Sequence, residues 1–478
     1  MTNLSILFNN QNSDIHTVSA ALLNLRHKSR AVLLSNEQRY SLLKRSILLL
    51  QENQEDLCEA YSHDFGHRAH ANTLLSDILG SIDALKHSID GLDKWSRDEH
   101  RESPFPGTQS YVQYRPLGVI GIMSPWNFPL VLTFGPLSGV IAAGNRAIIK
   151  PSELTPNGSQ LMCKLIAEYF SPEEISTVQG DTAVSAFFAS LPFDHLVFTG
   201  SSATGKHVMR AAADNLTPVT LELGGKSPAI ISQSADLKKA AEKIMTAKLF
   251  NAGQICIAPD YVMIPETIVE EFIAYAVDFL QDTYGSYRNN PDYTSVINTT
   301  HTRRLNELLD DAMTCCERVI LVNNEPDLLS EGRMNPRIIL NPSDKSRIMQ
   351  EEIFGPLLPV ITYKNPDEYI DRLQKNEKPL ALYFFGGNKE EFHELSCKSD
   401  SGAIIFNDVM SHVLVHDLPF GGVGHSGMGA YHGQDGFRRF SHTRAIYIKS
   451  DTALSHSLMH PPFNNEKLKQ ITDLISRP

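Results

Sequence analysis

The segment KLFNAGQICIAPDYV sets Cys256 behind a turn of small residues and ahead of an apolar run. A thiol so placed can fill a core as a small hydrophobe, ligate a metal, or attack an electrophile. Spacing alone favours the core. Two other stretches hold groups suited to a dinucleotide. In FTGSSATGK, Gly200 and Ser201 stand where a strand passes into a helix, and Gly205 lies inside that helix. The free N–H groups of such a first turn can hold a pyrophosphate, although an ordinary strand-to-helix turn explains the same residues. In IIKPSELTP, Lys150 and Glu153 follow a strand, where an ammonium and a carboxylate can meet ribose hydroxyls. A solvated loop with ordinary charges is the competing reading. No G-x-G-x-x-G fingerprint follows a strand.

Metal chemistry has no support. The six cysteines are Cys58, Cys163, Cys256, Cys315, Cys316 and Cys397, and no two form a C-x-x-C pair. That spacing gives neither a zinc site nor a disulfide framework, so a reducing, cytoplasmic setting is expected. Cys58, Cys163 and Cys397 read as structural. The 18 histidines are scattered along the chain.

Composition bounds the rest. With 478 residues, 42% hydrophobic and 21% charged, the chain is ordinary globular protein, long enough for two or more domains. A net charge of −12 gives no general attraction for nucleic acid or anionic membrane. The N-terminus MTNLSILFNNQNSD lacks the pattern of a signal peptide. Prolines break the most apolar segment, 116–144, so no membrane span is expected.

Leucines at helical spacing dominate the first hundred residues, and 101–110 reads as a loop. YVQYRP (111–116) reads as a strand. GVIGIM, NRAIIKPS, ISTVQG and HLVFTG then read as strands alternating with helices, the rhythm of a parallel sheet covered by helices. PVTLELGGKSPAIIS reads as strand, Gly-Gly turn, strand, with a domain change near 224. CIAPDYVMIP reads as one strand, residues 289–350 as polar and turn-rich, SGAIIFNDV as a strand, 418–433 as a glycine-rich loop and RAIYIK (444–449) as a closing strand.

Seven stretches in order, SPWNFP (124–129), IIKPSE (148–153), FTGS (198–201), TLELGGKSP (220–228), NAGQIC (251–256), EEIFGPLLPV (351–360) and PFGGVGHSGMG (419–429), resemble the motifs of the NAD(P)-dependent aldehyde dehydrogenase superfamily over nearly the whole chain. DFGHR (64–68), KPSELTP and GHSGMGAYHGQDGFRRFSH resemble its class 3 branch, and within it the coniferyl aldehyde dehydrogenases. The resemblance implies an α/β fold of three parts. These are a Rossmann-like cofactor domain (1–223), a catalytic α/β domain (224–417), and a C-terminal segment (418–478) carrying an active-site loop and a strand at 444–449. The last strand and the one near 111–116 would form an oligomerisation extension, and the implied assembly is a homodimer.

The same resemblance implies that Cys256 is the nucleophile, Glu222 the general base and Asn127 the oxyanion donor. Lys150 and Glu153 would meet the adenosine ribose, Gly200, Ser201 and Gly205 the pyrophosphate, and Gly180 the adenine end. Pro125, Trp126 and Leu223 would line the cleft, while Glu352 and Phe354 position the nicotinamide ribose and ring. The implied reaction takes an aromatic or medium-chain aldehyde to its acid with NAD+, or with NADP+ as well. A coenzyme-A-acylating enzyme would not need Glu222, and an inactive protein of the fold would tolerate loss of any of the three central residues. Ile255 replaces the usual threonine before the nucleophile. His412 and His416 bear on substrate preference, and Tyr431 and His432 either border the substrate mouth or simply pack.

Overall fold

The computed structural model describes residues 15–103, 107–323, 325–449 and 460–476. The N-terminal patch MTNLSILFNNQNSD lies outside these residues, as do 104–106 of the expected loop. Helices lead the chain at Asn36–Glu52 and Gln54–Asp64, the first opened by a capping box between Ser35 and Gln38. Thr73–Leu79 is a seven-residue π-helix that runs into the helix Gly80–Trp95.

Two short strands follow, β1 (Glu99–Arg101) and β2 (Gln109–Pro116). The first large sheet is then built by β3 (Val119–Met123), β4 (Arg146–Lys150), β5 (Ile175–Thr177), β6 (His195–Gly200) and β7 (Val219–Leu223), all parallel. β3 and β4 are buried along their whole length, which is why β3 and the Ala147–Ile149 centre of β4 are apolar without alternation. In space the order is β7-β6-β3-β4-β5. The sheet grows outward from β3 to β5, and β6 then returns to the other side of β3. A crevice therefore opens between the carboxyl ends of β3 and β6, the place where open α/β sheets bind ligands.

After Leu223 the chain leaves this sheet through Gly224 and Gly225. It enters a second sheet of seven strands at β8 (Pro228–Ile231), continued by β9 (Tyr261–Pro265), β10 (Arg318–Leu321), β11 (Arg337–Leu340), β12 (Leu357–Tyr363), β13 (Ala381–Phe385) and β14 (Ala403–Phe406). Only β10 runs antiparallel there. The two-residue β15 (Gly427–Met428) returns to the first sheet, with Gly427 opposite Glu222 on β7. β16 (Ser441–Ile448) pairs antiparallel along the full length of β2, forming the third sheet with β1.

Two sequence expectations are corrected. CIAPDYVMIP is extended only from Tyr261, because Cys256–Asp260 turns to present the thiol before the strand begins. The polar stretch 289–350 contains the helix Thr299–Met313, capped by Asn298, and two strands of the second sheet. Most of its charged residues face solvent, Arg304 turns toward the segment of Glu352, and a narrow stripe of Thr302, Leu305, Leu308, Leu309 and Ala312 is buried. No helix among the described residues is long and apolar enough to cross a membrane.

Candidate active site

The approach to Cys256 is a run of left-handed backbone. Asn251, Ala252 and Gly253 have φ of 51°, 53° and 74°, a conformation that costs free energy at the two non-glycine positions. At Gly253 a side chain is excluded, since a Cβ would lie 2.4 Å from the Gly355 carbonyl oxygen. Gln254 holds the turn in place. Its buried amide donates to the carbonyls of Asn251 (2.9 Å) and Ser295 (3.1 Å) and accepts from the Ile297 N–H (2.9 Å). Ile255 is buried in the main apolar core.

Cys256 itself is half-buried on the wall of a cavity of about 870 Å³. Burial pushes its thiol up to about 12, and the nearby Glu352 and Glu222 carboxyls add to this, while the amides of Cys256 and Ile257 pull the other way. The resting thiol is therefore protonated. Asn127, just beyond β3, lines the same cavity, and its amide donates to the Gln254 carbonyl at 3.0 Å. An amide has two N–H groups, so one is left for a bound oxygen. In return, the Asn251 amide donates to the Asn127 carbonyl at 3.2 Å.

Glu222 sits within β7, also on the cavity wall, with 2% of its surface exposed. Neither carboxyl oxygen has a hydrogen-bond partner. Burial raises its pKa well above the ordinary carboxylate range, opposed by the field of Arg439. Tyr431 is buried, its hydroxyl unpartnered, and its phenol is raised by burial and then by Glu222 and Cys256, so it packs close to both. His432 stacks on Phe420 at 5.3 Å and stands edge-on to His416 at 5.4 Å. Burial lowers the imidazoles of His412 (to about 4) and His416, leaving both neutral, so neither supplies a cation to this region.

Glu352 and Phe354 approach from the second sheet on a clamped segment. Lys226 holds Asp260 and donates to the carbonyls of Ile348 (2.7 Å) and Glu351 (2.8 Å). Asp260 accepts the Ile353 N–H at 2.9 Å, and Arg304 donates to the carbonyls of Glu352 (3.1 Å) and Ile353. Phe354 is left-handed at φ 50° and stands edge-on to Trp126 at 5.5 Å. The Glu352 carboxyl is pushed up to about 8, first by burial and then by Asp260. Its approach leaves no room beside Gly224, where a Cβ would lie 2.0 Å from Oε2. Lys226 and Gln254 stand inside the motifs TLELGGKSP and NAGQIC without an expected role, and Asp260 and Arg304 lie outside every motif. Their signal is charge or amide placed inside otherwise apolar or glycine-rich stretches.

The cavity wall includes Pro125 and Trp126 after β3, Gly200, Ser201, Ser202 and Ala203 after β6, and Leu223 from β7. Four expected cofactor residues lie off this wall. Lys150 ends β4, buried, with Nζ 2.8 Å from Glu153, whose side chain is exposed. Gly180 follows β5, and Gly205 lets the helix Ser202–Ala213 close on Leu223, where a Cβ would lie 2.6 Å from a Leu223 methyl. Lys150, Gly180 and Gly200 thus stand at the carboxyl ends of β4, β5 and β6, along one edge of the sheet. The surroundings suit a dinucleotide. Thr199 Oγ1 and Glu352 Oε1 are buried on the cavity wall without partners, ready for hydroxyl or amide groups, and the first turn of a twelve-residue helix faces the crevice.

A half-buried thiol, an amide and an unpartnered carboxyl share the wall of this crevice, and the chain belongs to the aldehyde dehydrogenase family, which residues 11–446 match. It oxidises an aldehyde to the carboxylic acid with NAD(P)+. Among its relatives is the coniferyl aldehyde dehydrogenase of a Pseudomonas species, 51% identical over 89% of this chain and 89% of the relative. The substrate-bound structure of Staphylococcus aureus AldH superposes with a TM-score of 0.89 at 35% identity, covering 97% of this chain and 99% of that one. Indole-3-acetaldehyde dehydrogenase AldA of P. syringae, in complex with NAD+ and IAA, gives 0.83 at 26% identity, covering 92% and 90%.

Proposed function

We propose that Cys256 is the nucleophile, Asn127 the side-chain oxyanion donor and Glu222 the base in the oxidation of an aromatic aldehyde of the coniferyl type. The observation that carries this reading is the meeting of all three on one cavity wall, with Glu222 buried and unpartnered. The Cys256 thiol gives its proton to solvent, attack of the thiolate on the carbonyl carbon moves an electron pair onto the oxygen, and the Asn127 amide and Cys256 N–H stabilise that charge. NAD(P)+, when bound, takes the hydride from the adduct carbon. The product is a thioester on Cys256. Glu222, once deprotonated, takes a proton from the water that attacks it, and the carbon–sulfur bond breaks to release the acid and the thiol.

Glu222 favours hydrolysis over transfer to coenzyme A. Around the cofactor, Lys150 and Glu153 take the adenosine ribose, Ser201 and the turn through Gly200 and Gly205 the pyrophosphate, Gly180 the adenine end, and Glu352 and Phe354 the nicotinamide end. Lys150 tethers the Glu153 carboxylate, which would repel a 2′-phosphate, so NAD+ is the preferred cofactor. The domain division follows the change of sheet between Leu223 and Pro228, with 418–478 as the C-terminal segment. The β2–β16 sheet, whose exposed Tyr447 and Ile448 invite cover, is the homodimer surface, and six unpaired cysteines suit the cytoplasm.

The test is reduction of NAD+ and NADP+ with coniferaldehyde, benzaldehyde and hexanal, with and without coenzyme A. The reading requires the highest kcat/KM with coniferaldehyde and NAD+, independent of coenzyme A. A preference for hexanal or a requirement for coenzyme A would overturn it.

A further inference from the structure

Arg68 and Asp77 form an ion pair at 2.9 Å with both side chains wholly buried. Stability is a poor reason to keep such a pair, because apolar replacements of similar volume often do as well. The surroundings suggest another reason. Asp77 lies in the π-helix Thr73–Leu79, a geometry that inserts an extra residue per turn and concentrates at functional sites. Its Oδ1 reaches across to accept the N–H groups of Leu130 (2.9 Å) and Val131 (3.0 Å), at the start of the helix Val131–Ala142. Those amides end the segment that carries Asn127. The Arg68 guanidinium lies over the rings of Phe65 and Phe128, each at 5.1 Å. Phe65 in turn contacts Trp126, and Phe128 stacks on Phe250 at the head of the turn leading to Cys256.

A second arm leaves the same segment. The His67 carbonyl accepts the Ser295 N–H at 2.9 Å. Thr294 Oγ1 accepts from the Ala69 N–H (3.2 Å) and the Asn72 amide (3.0 Å). The Ser295 carbonyl holds Gln254, and the Gln254 carbonyl accepts the Asn127 amide. The contacts close a ring through Asp77, the segment 127–131, Gln254, Ser295 and residues 67–69. Asn127 follows β3 of the first sheet and Cys256 precedes β9 of the second, and this ring ties the two segments together.

We propose that Arg68 and Asp77 are positioning residues for the reaction, fixing the Asn127 amide relative to the Cys256 sulfur so that the oxyanion pocket is assembled before substrate arrives. The proposal rests on the reading of Asn127 as oxyanion donor. A misplacement of about 1 Å at such a site costs up to about a hundredfold in rate.

The experiment compares wild type, Asn127→Ala, the paired replacement Arg68→Met with Asp77→Leu, and all three changes together, measuring kcat, NAD+ affinity by calorimetry and the alkylation rate of Cys256. Expected for the paired replacement is a tenfold to hundredfold loss of kcat per titrated thiol, with NAD+ affinity and alkylation within twofold of wild type. In the Asn127→Ala background the same replacement should cost little more, because the interaction it supports is already gone. A kcat within twofold of wild type, or a loss that adds in full to Asn127→Ala, overturns the proposal. Wild-type kcat in Asn127→Ala alone would overturn the oxyanion reading and this inference with it. If the paired replacement does not fold, Arg68→Lys decides. It keeps the charge and loses the flat guanidinium between the rings, so a several-fold loss of kcat with unchanged NAD+ affinity supports the proposal, and unchanged kcat overturns it.

Discussion

Two carboxyls line the cavity that holds Cys256, Glu222 from the first sheet and Glu352 from the segment before β12 of the second, and their surroundings differ. Glu352 sits on a segment fastened by Lys226, Asp260 and Arg304, and the Gly225 amide hydrogen-bonds its carboxyl. Glu222 belongs to a regular strand, yet neither of its oxygens is bonded to anything. Both are raised, Glu352 to about 8 and Glu222 well above the ordinary range. Environment separates their tasks. In the proposed mechanism the held carboxyl, with one spare acceptor, positions a bound ligand, and the unpartnered one exchanges protons with water.

Breaking the thiol that lies between them should have the largest effect. Cys256→Ala is expected to lower aldehyde oxidation by a factor on the order of 10⁴ or more, with NAD+ affinity retained by calorimetry. Glu222→Gln comes next, with a loss of roughly 10²–10⁴ in steady-state turnover. Its first turnover should persist as a burst of NADH in stopped flow, because the base acts after hydride leaves. The corresponding change at Glu352 should show the opposite pattern. Glu352→Gln should slow the burst itself by about tenfold and raise the KM for NAD+, since positioning precedes chemistry.

Legibility in the sequence divides along the same line. Glu222, Cys256 and Asn127 stand inside compact motifs, and β3, β4 and β6 announce themselves as unbroken apolar runs. The clamp around Glu352 is assembled from Lys226, Asp260 and Arg304, distant in sequence, and only folding brings them together. The helix Thr299–Met313 is hidden for a related reason. Its buried stripe is narrow and its exposed face carries most of its letters, so polarity outweighs periodicity. Cys256–Asp260 looks like the head of a strand because its apolar residues are buried in a turn, where burial needs no alternation.

A smaller effect sharpens the comparison through pH. Burial raises the folded-state pKa of Glu222 well above the usual 4.5, which favours the protonated form. Turnover limited by hydrolysis should therefore rise with pH through the raised pKa of Glu222 in wild type and flatten in Glu222→Gln, as a pH series of kcat would show. The stability linkage has the opposite sense. The contribution of the neutral, buried acid is full below about pH 4.5 and is lost as pH rises through the folded pKa. Thermal unfolding of Glu222→Gln should accordingly fall less between neutral and alkaline pH than that of wild type.

The division of labour between the two carboxyls is tested most directly by intact mass spectrometry of Glu222→Gln after mixing with coniferaldehyde and NAD+, followed by peptide mapping. The account predicts an acyl group held as a thioester on Cys256, formed at one per chain and decaying slowly. Normal turnover without such an adduct, or an adduct on another residue, would contradict it.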